Sequence, residues 1–480
     1  MRQKAIRWIA LLGALALVVA ACTNEEPTDT TAPDTTQAPG TTEAPTTTAA
    51  TDSTESPDTT ADAGMMTGIG VTEEPCPDGN PDRGCIYLGI LTDESGPFAA
   101  ASPGLVAGQR VFWATVNAEG GIGGAYDVAL PDDLKKDTQY NPEVFVQSYN
   151  DIAGDVAAVA MSLGSPQSIA ALDSYERDST VAAPMSWWSG WAFEEEDRGL
   201  IVEFGTNYCF EAMNAFDWSM EAVPASGRSV PATVGILAFP TEYGADYAEG
   251  VKMAAEANGV EVAWEAPVIP ISAGGDPQQV EAVQQVIGNP VDVIYLVTGP
   301  SETAAIVGGA VSQGATNLWI GASPTWNVGI LESPAAPVFE AGVYFQSGFV
   351  GPFDYDSVGH EKMRGALTAA GIESASDFFT SGWVSQYGLK AALEAAFAAD
   401  NLTREGIAGA VGALTEVDYE GMMPSRSFEG APNDVFPRES LVSMIDPTAS
   451  SGVTPVQDFF VGPTAESLEF TEPCAGIPGS

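Results

Sequence analysis

The chain has 480 residues, 65 of them Asp or Glu and 17 Lys or Arg, for a formal net charge of −48. A field of that sign repels phosphate and excludes nucleic acid as a partner. Only one histidine, His360, is present, so a His-rich metal centre is excluded, any Ser-His-Asp triad would have to use that residue, and no cofactor is expected.

Residues 1–21 open with Arg2, Lys4 and Arg7 and continue into an apolar run too short to span a bilayer, the pattern of an export signal. Val19-Ala20-Ala21-Cys22 places small residues before a cysteine, as in a bacterial lipobox. Cys22 is therefore the expected lipidation site, and the protein is expected outside the cytoplasm, held to the cell membrane through that anchor alone. An ordinary secretory signal ending near a cysteine is the alternative. Residues 22–75 carry Thr, Pro, Ala and acids with no Lys or Arg, so they cannot bury enough apolar surface to offset chain entropy and are expected to form a disordered spacer. The four remaining cysteines are an even set in an oxidising compartment, and three pairings are possible. Cys76 and Cys85 flank the turn-rich PDGNPDRG and are expected to pair locally, which leaves Cys209 for Cys474. A four-thiolate zinc site is the alternative, although no C-x2-C spacing supports it.

From residue 86 onward strand and helix alternate. Residues 86–91 form a short apolar run, as in a buried parallel strand. Leu105, Gly108, Phe112 and Val116 then make one helical stripe, closed by the glycine-rich stretch at 120–124. A strand is expected at 126–130, then a helix opened by Asn141-Pro142-Glu143 as cap, first-turn proline and acid. A strand at 156–160, a helix from Ser165-Pro166 to 177 and a strand at 180–183 complete the first series. The rhythm restarts with strands at 232–238, 260–268, 291–297 and 317–320, and helices at 243–258, 276–287 and 302–313. Long helical patterns follow at 358–370 and 378–399. Two such series imply an α/β protein with two doubly wound parallel sheets and a cleft between them.

The stretch from Gly89 to Gly124, with Ser95-Gly96-Pro97 after the first strand and Asn117-x-x-Gly-Gly-Ile-x-Gly124, resembles the opening of type I periplasmic solute-binding proteins. The leucine/isoleucine/valine-binding branch, which serves ATP-driven (ABC) transporters, is the most similar. Ser174-Tyr175-Glu176-Arg177-Asp178 and Thr241-Glu242-Tyr243-Gly244 extend the likeness across about residues 85–474. The resemblance implies two lobes joined by a three-crossover hinge, a monomer, no catalysis, a small-molecule ligand and an ABC transporter permease as partner. It places the N-terminal lobe at 85–206 plus 347–425 and the C-terminal lobe at 207–346 plus 426–474, so that Cys209 and Cys474 share a lobe.

The same resemblance implies a ligand shell. Ser165 matches a hydroxyl at a helix N-terminus that holds a carboxylate, although it is equally suited to capping its own helix. Met185, Ser186, Trp187 and Trp188 match the next strand-to-helix turn, with Trp187 where the family carries a threonine. Gly299, beside the candidate Thr298, stands where the family carries a tyrosine, and Ser323 where a glutamate binds an ammonium group. A buried ammonium needs a carboxylate, so Asp93, Glu94 or Glu302 would have to substitute. Tyr243 lines the cleft in relatives, and Trp187, Trp188, Trp191 and Trp326 cluster near the cleft loops, where their faces suit an apolar or planar ligand. The expected ligand is a small organic molecule: an amide, a carboxylic acid or an amino acid.

Rival readings are a ligand sensor of the same fold and an enzyme. No Gly-x-Ser-x-Gly elbow is present, and no lysine follows a glycine, so a P-loop is absent. The acidic run at 194–197 reads as solvated surface, and no 20–50-residue repeat suggests a structural array.

Overall fold

A computed structural model describes residues 64–372 and 376–477, without the side chains of 195–198. The export signal, Cys22, most of the spacer and three acids of the 194–197 run lie outside it. All described residues fall in one compact unit, Asp62–Ser480.

The strand Gly84–Thr92 is the axis of the first sheet and is buried along nearly its whole length. Tyr126–Ala129 and Lys135–Asp137 pair in parallel with it, as does Ala158–Leu163, which in turn carries Ala182–Met185. Buried on both faces, this strand has no solvent side, which explains why its sequence reads as one apolar run. The helix Ser102–Ala118 buries the expected stripe of Leu105, Gly108, Phe112 and Val116. A Cβ on Gly108 would collide with the carbonyl of Phe379, so the glycine lets the helix Asp377–Val384 pack at backbone distance. That helix comes from far along the chain, so the first layer is built from two separate stretches.

The second sheet has seven strands. Glu261–Pro267, Thr233–Ala238, Val293–Val297, Leu318–Gly321 and Tyr344–Gly348 run parallel in that order. Ser440–Ile445 and Val453–Phe460 then add antiparallel strands at the edge. The chain thus passes between the layers three times: between Met185 and Thr233, between Gly348 and Asp377, and between Val411 and Ser440. This is the expected pair of doubly wound sheets. Among the described residues no helix is long and apolar enough to cross a membrane.

Three expectations need correction. The folded part begins before residue 75: Met66–Thr67 pairs with Asn401–Leu402, and Val71–Thr72 pairs with Cys85 and Ile86. Met65 and Val71 pack on the core, which gives this end of the spacer the burial that its composition elsewhere lacks. The helix expected from Ser165 to 177 is two, Ser165–Ala170 and Leu172–Asp178, and the pattern at 378–399 divides into Asp377–Val384 and Gln386–Ala398. An 18-residue helix, Tyr208–Ala225, lies where no element was expected. Both disulfides have the expected pairing, Cys76–Cys85 and Cys209–Cys474.

Candidate functional site

In open α/β sheets the loops beyond the C-terminal strand ends form the binding crevice. Here both sheets send those loops to one cavity, whose empty space, open solvent included, is about 950 Å3. The first sheet contributes Phe98, Leu163, Gly164, Ser165, Met185 and Trp187, and the second Tyr243, Ser323, Trp326, Gln346 and Ser347. Tyr140, Tyr208, Val350, Asp377, Phe378, Leu441 and Val453 close the wall.

The wall is mostly aromatic and aliphatic. Trp187 packs on Phe349 with ring centroids 4.5 Å apart and on Phe204 at 5.2 Å, while its indole N–H donates to the Phe204 carbonyl at 2.7 Å. Tyr208 lies 4.7 Å from Tyr243, and Phe98 lies 5.1 Å from Tyr140. Trp326 is fixed by donation to the Ser451 carbonyl at 2.9 Å. Held at both ring and N–H, these indoles form a preorganised surface, which lowers the entropy cost of binding.

The polar groups are few and mostly engaged. The hydroxyls of Ser165 and Ser186 are 2.7 Å apart, and the Tyr208 phenol also reaches Ser165. Tyr243 donates to the Thr298 carbonyl at 3.2 Å. Among the described residues no Lys, Arg or His lines the cavity. Asp377 is the one charged-type residue among the described lining; burial raises its carboxyl to about 7, although it accepts from the Phe353 amide at 2.8 Å. Behind the second-sheet wall sits Glu211, accepting from the Ser323 amide at 2.7 Å and the Ser347 hydroxyl at 2.6 Å. Burial pushes Glu211 up to about 8, the two hydrogen bonds offsetting only part of the desolvation.

Of the sequence candidates, Ser165, Met185, Trp187, Tyr243, Ser323 and Trp326 line the cavity. The others do not reach it. Asp93 is fully buried and accepts from the amides of Ser95, Gly96 and Phe98 at 3.3, 2.5 and 2.9 Å, so it builds the turn that presents Phe98. Ser186 stands behind Ser165 and accepts from the Trp191 indole at 3.0 Å. Trp188 turns into a separate core cluster, donating to the Ala475 carbonyl at 2.9 Å. Thr298 pairs with Thr303 at 2.9 Å, and Gly299 caps the helix Pro300–Ser312. As ammonium partners, Glu94 is ion-paired to Lys135 and Glu302 accepts from the Ile271 amide at 2.8 Å; neither lines the cavity.

Sequence reasoning missed Phe98, Tyr140, Tyr208, Gln346, Ser347 and Asp377. Phe98 directly follows Ser95-Gly96-Pro97 and Tyr140 directly precedes the Asn141 cap, so the rule that sites gather at strand ends could have found both. Asp377 and Leu441 arrive through long-range packing and carry no local signal.

No curated protein sequence matches the chain. Among solved structures, a fatty acid ABC transporter substrate-binding protein from Thermomonospora curvata is 25% identical with a TM-score of 0.74, covering 85% of this chain and 97% of that one. A branched chain amino acid ABC transporter from Thermus thermophilus with bound valine is 14% identical, with a TM-score of 0.64, 80% of this chain and 98% of that one being covered. An R. palustris solute binding protein in complex with 4-hydroxybenzoate gives 15%, 0.64, 79% and 98%. At such identities the last two bear on the fold alone, the two-lobe type I arrangement. The sequence profile described as periplasmic binding protein matches residues 86–441, and the chain therefore belongs to the periplasmic binding protein family.

Proposed function

We propose that this protein is the lipid-anchored solute receptor of an ABC-type uptake system, capturing a small, largely apolar organic molecule between its lobes and delivering it unaltered to a permease. The observation that carries this reading is the cavity lined from both sheets by Met185, Trp187, Tyr243 and Trp326, with few free polar groups. The fatty acid-binding neighbour at 25% identity supports an apolar chain with a carboxyl-type head. Branched-chain amino acids fit less well, because Ser323 offers no charge to an ammonium group, Glu211, high in pKa, stands behind it rather than in the wall, and the wall carboxyl of Asp377 is itself raised to about 7 by burial. Cys22 supplies the anchor and residues 22–63 the reach from the membrane, with lobes divided near 206, 346 and 425. Because the ligand's shell comes from both lobes, it binds the closed form better and drives closure.

Titration with straight-chain acids and primary amides from butyl to decyl is expected to change tryptophan fluorescence and to reduce the radius of gyration in small-angle scattering. Trp187→Ala is expected to weaken binding at least about tenfold, since it removes a large buried contact, while Trp188→Phe leaves affinity unchanged. Absence of compaction with every solute, including small molecules released from protein of the native host, would sink the capture reading.

A further inference from the structure

We infer that Tyr140 fixes the polar end of the ligand, its phenol donating a hydrogen bond to the carbonyl oxygen of an uncharged head: an amide, an ester or a ketone. The inference rests on the solute-capture reading above and specifies the ligand's head.

Three tyrosines line the cavity among the described residues, and two of them spend their hydroxyls inside the wall. Tyr208 reaches Ser165, and Tyr243 donates to the Thr298 carbonyl at 3.2 Å. The Tyr140 hydroxyl has no hydrogen-bond partner among the described residues. It is not sealed off either: the residue is only half-buried, and its oxygen is not one of the buried atoms that lack a partner. A ligand in the cavity can therefore reach a donor that the fold leaves unused.

The backbone that presents this ring is strained. Gln139 and Tyr140 are consecutive residues in the left-handed region, at φ +56° and +51°, where a bulky side chain is an outlier. Glycine or asparagine would serve the turn alone with less strain. The surroundings impose the conformation. Thr138 donates to the Thr92 carbonyl through its amide at 2.8 Å and its hydroxyl at 2.9 Å. Asp137 accepts from the amides of Glu94 at 2.9 Å and Gln139 at 3.0 Å. The turn is thus tied to the loop after the first strand, and strain held in place this way gathers at binding sites. Two further contacts set the ring. Phe98 lies 5.1 Å away, and at Gly164 a Cβ would fall 2.7 Å from Tyr140 Cε2. The phenol meets the cavity already oriented, which lowers the entropy cost of using it.

The charges nearby choose the class of head. Burial, together with the Glu242 and Asp93 carboxylates, holds the phenol well above its ordinary pKa, so it stays protonated and donates. The same acids disfavour an anionic head, and among the described residues no cation lines the cavity to offset one. Neither acid is placed to take an ammonium group, since neither lines the cavity and Asp93 is spent on the amides of Ser95, Gly96 and Phe98. A carbonyl oxygen brings an acceptor without a charge, the complement of a phenol donor.

The test uses the folded protein at one fixed pH of about 7.5, where octanoate and octylamine are charged and octanamide and 2-octanone are not. Each carbonyl probe is expected to bind more tightly than either charged one. Tyr140→Phe keeps the ring and removes only the hydroxyl. It is expected to lose about tenfold in affinity for octanamide and for 2-octanone, the equivalent of one hydrogen bond, while the melting temperature of the ligand-free protein stays unchanged. Unchanged affinity for both carbonyl probes in this variant, with or without a lower melting temperature, overturns the assignment by giving the hydroxyl a structural role or none. Tighter binding of octanoate, or of octylamine through Asp377, also overturns it while leaving solute capture intact. Compaction with an unrelated native solute, and none with any of the four octyl probes, overturns the uncharged carbonyl head and again leaves capture standing.

Discussion

Stability is expected to rise as pH falls from about 8 to about 6.5, the reverse of the usual behaviour of a protein whose carboxylates are ion-paired. Burial raises Glu211 from 4.5 to about 8, and Asp246 and Asp377 from 3.8 to about 7. Between the unfolded and folded values the native state binds protons that the unfolded chain does not. The stability tied to these groups is therefore complete below the unfolded values and lost as pH rises through the folded ones. Each contributes about 1.4 kcal/mol per pH unit while its protonation differs between the two states, so the window carries a few kcal/mol. His360, lowered to about 4 by burial from its ordinary 6.5, acts in the opposite sense, but only below the window. Glu211→Gln isolates the largest contributor. The substituted amide oxygen still accepts from Ser323 and Ser347, and the charge that must otherwise form in the core at high pH is gone. The variant is expected to be more stable than wild type by a few kcal/mol at pH about 8 and to have a shallower profile by about one proton. Denaturant melts at several pH values check both. A flat wild-type profile, or an equal slope in the variant, would refute the account. Glu211 is also tied to the cavity through its donors: Ser323 and Ser347 are wall residues, and ionising the acid would strengthen the two hydrogen bonds it accepts from them.

The same burial explains which parts of the molecule were legible in the sequence. Elements with one wet face announced themselves: the helix Ser102–Ala118 by its stripe, and the helix Pro142–Ile152 by Asn141, whose side chain accepts from the Glu143 and Val144 amides. The helix Tyr208–Ala225 did not, because nearly every residue from Tyr208 to Asp217 is buried. A helix covered on all sides has no polar face, so no 3.6-residue period remains to be read. With it went Tyr208 and Glu211. The breaks at Ala171 and Ser385 were hidden for a different reason. Both residues keep right-handed helical or near-helical backbone angles, so the change of direction carries no Gly or Pro signal. At the site, residues on strand ends were found by position, whereas the direction of each side chain was not. Trp187 and Trp188 are adjacent, yet one faces the cavity and the other the Trp191 cluster. Alternation along an extended loop makes that outcome natural, but which neighbour faces inward depends on Phe204 and Phe349 being in place.

Removing the Cys209–Cys474 bridge is expected to cost about twice as much stability as removing Cys76–Cys85. The first closes a loop of 265 residues and the second one of 9. Chain-entropy arguments assign about 5.5 kcal/mol to the longer loop and about 2.5 kcal/mol to the shorter. The long bridge also does local work. It holds the tail so that the Cys474 amide donates to Ser189 Oγ at 2.8 Å, the Ala475 amide to Asp246 at 3.3 Å, and the Trp188 indole to the Ala475 carbonyl at 2.9 Å. Ser189 in turn donates to Asp246 through both its amide, at 3.0 Å, and its hydroxyl, at 2.5 Å. Asp246 lies on the helix Glu242–Asn258 of the second sheet, and Ser189 follows the last strand of the first. The tail thus clamps a contact between the two layers next to the loop that carries Trp187. In the double variant Cys209→Ala/Cys474→Ala, water is expected to reach Asp246 and Trp188. Trp188 emission then shifts to the red, and the share of the pH profile belonging to Asp246 shrinks as its pKa relaxes toward the ordinary carboxylate range. Cys76→Ala/Cys85→Ala is expected to lower stability without either spectral or pH change, since its loop touches neither group. Equal losses in the two variants, or an unshifted Trp188 emission in the first, would show that the tail stays docked without its bridge.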